Sequence, residues 1–513
     1  MTRWPNLALA SASLCLIAGI AFGGSRAASP VTPKPAEAPP RAPEEIVAGV
    51  CGACHGTKLQ GGQGPSLLGE TYLHGSSDAE VRRSVLQGYP DKGMPAFAGM
   101  LSPKEVDGLV DFVRNQRNLN SPTYLAQLDN DQKARIPKAP IQSELSAFRI
   151  EIVAETGKPW GLAALPGDRL LLSEEQGGLR LIDHGRLVAD PVHGTPAGHP
   201  IDLFKRVLLD VAIPPDYRST GWIYLTAGDS TPGANGAPQM QLKLIRGHIR
   251  DNQWVDGQTL LTVPRDTATG RIAFDGKGHV FMSSSADLGV EHGNSREPET
   301  KETLAAQPAQ DLKSPQGKIF RLMEDGSIPS DNPFVHAPGA FAPIWSYGHR
   351  NPQGLAIDPE NGELWSSEHG PRGGDEINLI KPGHNYGWPL ISYGTGYNGI
   401  TFTTDIKVDG LEQPIINWTP SIGVSPIAFY EGAAFPAWKG DLFIGSLVGE
   451  ELFRVVLKDD REAARESIFH GLGRIRAIAT ATDGCIYVAL ELRREGLLIR
   501  LVPAASGTDR TKQ

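Results

Sequence analysis

Cysteine is scarce: the 513-residue chain has four, Cys15, Cys51, Cys54 and Cys485. That is too few for a disulfide scaffold. An apolar run near the N-terminus, 7–22, falls short of the ~20 residues that a membrane span needs. Charge of one sign is not in excess either. The formal net charge is -9, and this mild acidity argues against a nucleic-acid partner. Strong helical periodicity is missing beyond about residue 145, so the larger part of the chain reads as β structure. What is abundant is glycine (59) and proline (41), which implies many turns. The composition, 40% hydrophobic and 21% charged, is that of a soluble globular protein, and the length calls for at least two domains.

The N-terminus reads as an export signal over 1–28. Arg3 supplies positive charge, the apolar core follows, and the small residues around Ser25, Ala27, Ala28 and Ser29 suit cleavage. Cys15 lies inside the apolar core after Leu14, without the small residue that should precede a lipidated cysteine. The reading therefore places the protein in the periplasm or otherwise outside the cytoplasm. Residues 29–43, rich in Pro and Ala, read as an extended linker. A compact segment spans 44–120, a polar, proline-containing connector spans 121–144, β structure fills 145–503, and 504–513 is a polar tail.

Within 145–503 one unit recurs: an apolar strand, a turn with Pro, Asp or Gly, and a second apolar strand. It begins near Trp160, Leu208, Arg271, Gly354, Ser425 and Ala477. Six irregularly spaced units suit a six-bladed β-propeller. A pair of β-sandwiches is the rival, and closure into a ring is preferred because it leaves few open strand edges. Cys485 falls in a blade strand on this reading and should be a buried free thiol.

In the compact segment, Cys51-Gly-Ala-Cys54-His55 has the spacing for covalent haem c. Two thiols at i and i+3 reach the two vinyl groups of one porphyrin, and the next residue offers imidazole to the iron. A zinc site would need a second ligand pair nearby, and none is present. For the other axial position Met94, in the turn-forming Gly93-Met94-Pro95, ranks first. Met100, expected to pack near the following helix, ranks second, and His74 third. A methionine ligand raises the reduction potential relative to a second histidine, which suits an electron acceptor. Ser102-Pro103-Lys104-Glu105 should cap a helix whose Val106, Leu109, Val110 and Val113 cover a haem edge. A helix over 44–50 would cross it. Over 44–120 the chain resembles the small single-haem cytochromes c, which gives an all-α domain ahead of the all-β one.

Polar and turn residues are dense in three runs: GHRNPQG from Gly348, SEHGPRGGDEINLI from Ser367, and NYGWP from Asn385. A Gly-Pro turn followed by Asp-Glu can cage Ca²⁺ with carbonyl and carboxylate oxygens. Neighbouring arginines suit a planar anion held bidentately. A solvated loop between blades would look similar. These runs, with Gly317-Lys318-Ile319, Trp418-Thr419-Pro420 and Arg474-Ile475-Arg476, resemble the soluble PQQ-dependent glucose and aldose sugar dehydrogenases over most of 148–502. The resemblance implies PQQ over the propeller axis, with Arg350, Asn351, Arg474 and Arg476 contacting the quinone. It implies calcium on the carbonyls of Gly370 and Pro371, and a second calcium, found in some members, at Glu376 and Tyr386. A lactone hydrolase, another six-bladed class, is disfavoured by the GHRNPQG run.

The resemblance also has gaps. The family's general base is a histidine before a Gly-Arg-Ile strand, and Thr267 takes its place ahead of Gly270-Arg271-Ile272. The supporting aspartate falls near Ala286 or Asp287, a quinone-contacting lysine aligns with Val448, and a glutamine aligns near Lys205. Substitute bases are Asp266, beside the vacated position, and His193 or His199 on an insertion. The expectation is an exported quinohaemoprotein that oxidises an aldose or related alcohol, passing electrons to its haem and then to a soluble cytochrome or a membrane respiratory chain. The alternative is an electron-transfer cytochrome fused to a propeller that binds ligand without catalysis.

Overall fold

The computed structural model describes residues 40–504, apart from 57, 60–63, 70–71, 176–177, 197–206, 233–237, 265–268, 287–298 and 398. The leader, most of the linker and the tail beyond 504 lie outside the described residues. So do His199, Lys205, Asp266, Thr267 and Asp287. The chain divides into two compact units between Asn118 and Leu119. No described helix is long and apolar enough to cross a membrane.

In the smaller unit, α1 (Pro43–Ile46) runs through a π turn (Val47–Cys51) into α2 (Gly52–His55). Next come α3 (Asp78–Gln87) and α4 (Pro103–Leu119). The expected cap of α4 forms: Glu105 N donates to Ser102 Oγ (3.3 Å) and Ser102 N to Glu105 Oε2 (2.8 Å). Arg41 Nε adds a bond to Glu105 Oε1 (2.7 Å). Together they hold that carboxyl down at about 2. A second box, Ser77 with Glu80, starts α3; the sequence reading had passed over it. Val106, Leu109, Val110 and Val113 form one buried stripe of α4, packed with Ile46, Val47 and Phe97.

The larger unit contains six antiparallel sheets, five of them built from four consecutive strands. Their innermost strands are Pro159–Leu165, Leu208–Ala212, Ile272–Phe274, Pro352–Ile357, Val424–Phe429 and Arg474–Thr480, numbered here as blades 1 to 6. The six sequence units fall on the first two strands of the six blades. Ala147–Thr156 pairs with Gly496–Pro503, so a strand from before blade 1 completes blade 6 and closes the ring.

Residues 121–144 correct the expected connector. Ser121 caps α5 (Pro122–Ala134) through a bond from Tyr124 N, with proline at the start of the helix. Ile136 is buried in the core of blades 5 and 6, and Ile141–Gln142 adds a short fifth strand to blade 6. Cys485 is a buried free thiol one residue ahead of the strand Ile486–Glu491, and burial pushes it up to about 12.

All inner strands start at the same end of the ring, and Arg271 ties that end together across the axis. Its guanidinium donates to the carbonyls of Trp160 (3.1 Å), Gln353 (2.6 Å) and Arg476 (2.7 Å). It also meets Asp210 Oδ1 at 3.4 Å. Blade 3 is thereby joined to four others through one buried cation with a carboxylate partner, as a buried charge requires. Beyond it the shaft continues as a cavity of about 240 Å³ walled by Ala163, Ala212, Leu355, Ile427 and Ala477.

Candidate functional site

The smaller unit encloses a cavity of about 930 Å³, lined by Cys51, Cys54, His55, His74, Met94 and the apolar faces of α3 and α4. That is the size range of cofactor pockets. His55 Nδ1 donates to the carbonyl of Pro65 (2.7 Å), which leaves Nε2 free for a metal; a metal-binding histidine is commonly oriented this way. The backbone at Gly64 passes so close that an added Cβ would sit 3.0 Å from the imidazole. The pocket thus fits a porphyrin attached at the two cysteines.

Met94 reaches the wall from a tight turn, in which Tyr89 and Met94 exchange backbone bonds of 2.8 and 3.1 Å. His74 also lines the cavity but stacks on Tyr89 with ring centroids 3.7 Å apart. Met100 is 59% exposed and is neither a packing residue nor part of the cavity; its carbonyl accepts from Arg41. With Met94 as the sixth ligand, Met94→Ala in the haem-loaded protein is expected to lower the reduction potential and convert the iron to five-coordinate. His74→Ala should leave both unchanged. Redox titration with visible spectra checks this, and the opposite pattern would assign His74.

In the larger unit, the end at which the inner strands begin carries the arginines. Arg350, only 3% exposed, donates through Nη1 to the His369 carbonyl (2.7 Å) and through Nη2 to the Tyr397 hydroxyl (3.2 Å). Its guanidinium lies 5.4 Å from the Trp388 ring centre. From blade 6, Arg476 is buried over the Trp160 ring at 4.7 Å. Arg476 and Arg474 share one carboxylate, Glu491, with Arg474 Nε 3.5 Å from Oε2. Asn351 is held by a bond from Gln353 Nε2 to its Oδ1 (2.8 Å) and by its own N–H on Glu368.

His369 is the residue that sequence reading missed. Its Nε2 is buried without a partner. Burial, with Arg350, Arg476 and Arg474 around it, pushes the imidazole down to about 3. A neutral imidazole with an unmet nitrogen among three cations is an incomplete hydrogen-bonding set. An anionic group with acceptor and donor atoms would complete it. The signal was present, since His369 stands inside the SEHGPRGGDE run, but only the convergence of blades 4 and 6 gives it meaning.

Gly370 and Pro371 are buried, and neither carbonyl accepts a hydrogen bond among the described residues. The turn is tight: a Cβ on Gly370 would collide with the Gly373 carbonyl. Two unmatched carbonyl oxygens are the donors that a hard cation takes, so these residues fit calcium.

The second proposed calcium pair, Glu376 and Tyr386, lies on and just after the strand Asp375–Ile380. The Tyr386 hydroxyl donates to Leu379 O and accepts from Lys381 N (2.9 Å), three residues and more along the strand from Glu376. Stacking of its ring on His349 (4.6 Å) fixes it there. Glu376 instead faces Glu368 across the strand pair, and burial with this like charge raises its carboxyl. Asn378 donates to it (3.1 Å) and keeps a buried, unpartnered Oδ1. Among the described residues no group of three or more His, Cys, Asp or Glu forms a metal cluster.

The remaining candidates separate. His193 is exposed and pairs with the hairpin turn at Asn252–Trp254, at the opposite end of blade 2 from the arginines, so it does not reach the channel mouth. Val448 is 68% exposed at the same end as Arg350. Ala286 is buried, its N–H on the Arg350 carbonyl (2.9 Å).

Comparison with known proteins agrees with this division. The Glucose / Sorbosone dehydrogenase family model matches 156–500, and the model for cytochrome C oxidase, cbb3-type, subunit III matches 38–113. The aldose sugar dehydrogenase YliI of Escherichia coli is 37% identical over 355 residues, 67% of this chain and 90% of that protein. The crystal structure of the soluble aldose sugar dehydrogenase from Escherichia coli, in the apo-form, superposes with a TM-score of 0.59 at 34% identity, covering 70% of this chain and all of that one. The PQQ-bound aldose sugar dehydrogenase of Streptomyces coelicolor gives 0.50 at 27% identity, covering 71% of this chain and all of that one. The chain therefore belongs to the glucose/sorbosone dehydrogenase family, as a six-bladed propeller preceded by a cytochrome c domain.

Proposed function

We propose that this oxidoreductase is an exported quinohaemoprotein that oxidises an aldose or related alcohol with PQQ and calcium, its electrons passing to the covalent haem. The observation that carries this reading is the unpartnered Nε2 of His369, set among Arg350, Arg474 and Arg476 beside the Gly370 and Pro371 carbonyls. The PQQ in the Streptomyces coelicolor relative supports it. When bound, PQQ supplies a two-electron acceptor for the substrate's C1 hydrogen and haem a one-electron acceptor. The residues do the rest. The guanidinium groups neutralise the cofactor's carboxylates in a fixed fork geometry, and Gly370 and Pro371 offer oxygens to the cation. Arg271 and Trp160 close the axis beneath. A haem on the same chain is an acceptor at high effective concentration, and a soluble cytochrome or a membrane respiratory chain would take the electrons onward.

The test is reconstitution of the full haem-loaded chain with PQQ and Ca²⁺, followed by an aldose. Haem reduction is expected only when all three are supplied. A second reading, a propeller that binds the quinone without turnover, is favoured by Thr267 standing where the family has its base. Uptake of PQQ with no haem reduction would select it, and no uptake would remove both.

A further inference from the structure

The helix α5 lies on the end of the propeller that bears the arginines, where Asp129, Gln132 and Lys133 bond to loops and to a strand end. Asp129, 1% exposed, accepts from the backbone N–H groups of Arg493 (2.6 Å) and Arg494 (2.9 Å). Gln132 Nε2 donates to Glu450 Oε2 (3.0 Å) in the adjoining loop of blade 5. Lys133 Nζ bridges Glu155 (2.9 Å) and Glu495. The loop 492–495 that α5 grips follows directly on Glu491, the carboxylate shared by Arg474 and Arg476.

We propose that Asp129 is a positioning residue for the quinone-facing arginines, acting through loop 492–495 and Glu491. The inference rests on the PQQ reading above and extends it to a segment with no residue in the site itself. The physical case has three steps. A buried carboxylate is stable only when its lone pairs are met, and here two backbone N–H groups of one loop meet them with charge-assisted bonds. Those bonds fix the loop two and three residues after Glu491. Glu491 in turn holds the Arg476 Nε and the Arg474 Nε at one point, so a shift of the loop moves both cations together. Leu492, buried in the core of blades 5 and 6, and the bond from its N–H to the Glu495 carbonyl (2.9 Å) hold the loop alongside α5.

The experiment uses the full haem-loaded chain with Ca²⁺ and titrates PQQ. Asp129→Ala is expected to weaken PQQ binding roughly tenfold, the size commonly lost with an outer-shell partner, while the haem spectrum stays as it was. Asp129→Asn, which keeps one carbonyl acceptor, should recover most of that loss. Glu491→Gln should weaken binding on its own, and the Asp129→Ala, Glu491→Gln double variant should fall short of the product of the two, because both act on the same arginines. Amide exchange at 492–495 should quicken in Asp129→Ala. Quickened exchange with unchanged PQQ affinity overturns the positioning role, as do losses that multiply. Failure of the unsubstituted protein to take up PQQ instead overturns the cofactor reading beneath it.

Discussion

Arg350→Ala is expected to weaken PQQ binding by at least about 30-fold while leaving the haem spectrum intact. Arg350 is anchored at both ends of its fork, by the His369 carbonyl and the Tyr397 hydroxyl. It can therefore meet an anion without first paying to be ordered. Truncating one partner of a buried, hydrogen-bonded charge pair costs about 2–5 kcal/mol. Even the lower figure is roughly a 30-fold change in affinity. Arg350→Lys separates charge from shape: it restores the cation but not the planar fork, and should recover only part of the loss. Removing Arg350 also lifts one of the three cations that keep His369 from protonating. Burial, the larger cause, still holds the imidazole neutral in the variant, so its PQQ affinity should keep the same pH dependence near neutrality. Calorimetric titration at two pH values reads both effects. An unchanged affinity at either pH would remove Arg350 from the site.

Much of this architecture could be read before any coordinates, and the failures have physical causes. The six strand-turn-strand units mark the inner strands because those strands are buried on both faces and must be apolar. Outer strands such as Arg461–His470, exposed along most of their length, carry no such mark. Cys51, Cys54 and His55 were legible because covalent attachment is a local matter of spacing. The helix α5 was not, because Ser121 and Pro122, which start it, are also what a linker looks like. Its polar residues are satisfied by loops some 360 positions away (Asp129 to Arg493 and Arg494). His369 was missed for the same reason, since it gains a role only when blades 4 and 6 come together across the ring, and Glu491 because its role comes from the pairing that sets it opposite Arg474 inside blade 6. Tyr386, paired with Glu376 by the motif match, has its side-chain hydroxyl taken by Leu379 and Lys381.

Thr267→His is expected to raise sugar-dependent haem reduction by about 10² or more in the reconstituted chain, with PQQ affinity unchanged. Oxidising C1 requires its hydroxyl proton to leave as the hydrogen does, and a positioned base typically contributes ~10²–10⁴ in rate. Threonine's hydroxyl is far too weak a base to take that proton near neutral pH, so any turnover in the unsubstituted protein must use another group or water. Asp266, the neighbouring carboxylate, is the first candidate, and Asp266→Ala should abolish the residual rate if it serves. The pH profile distinguishes the two bases. A carboxylate base titrates near 4, whereas the introduced imidazole should add a limb near its ordinary value of about 6.5. If Thr267→His binds PQQ and still gives no sugar-dependent reduction, a missing base is not what limits this propeller. Its cofactor cradle would then serve binding alone, or a substrate whose oxidation needs no base at this position.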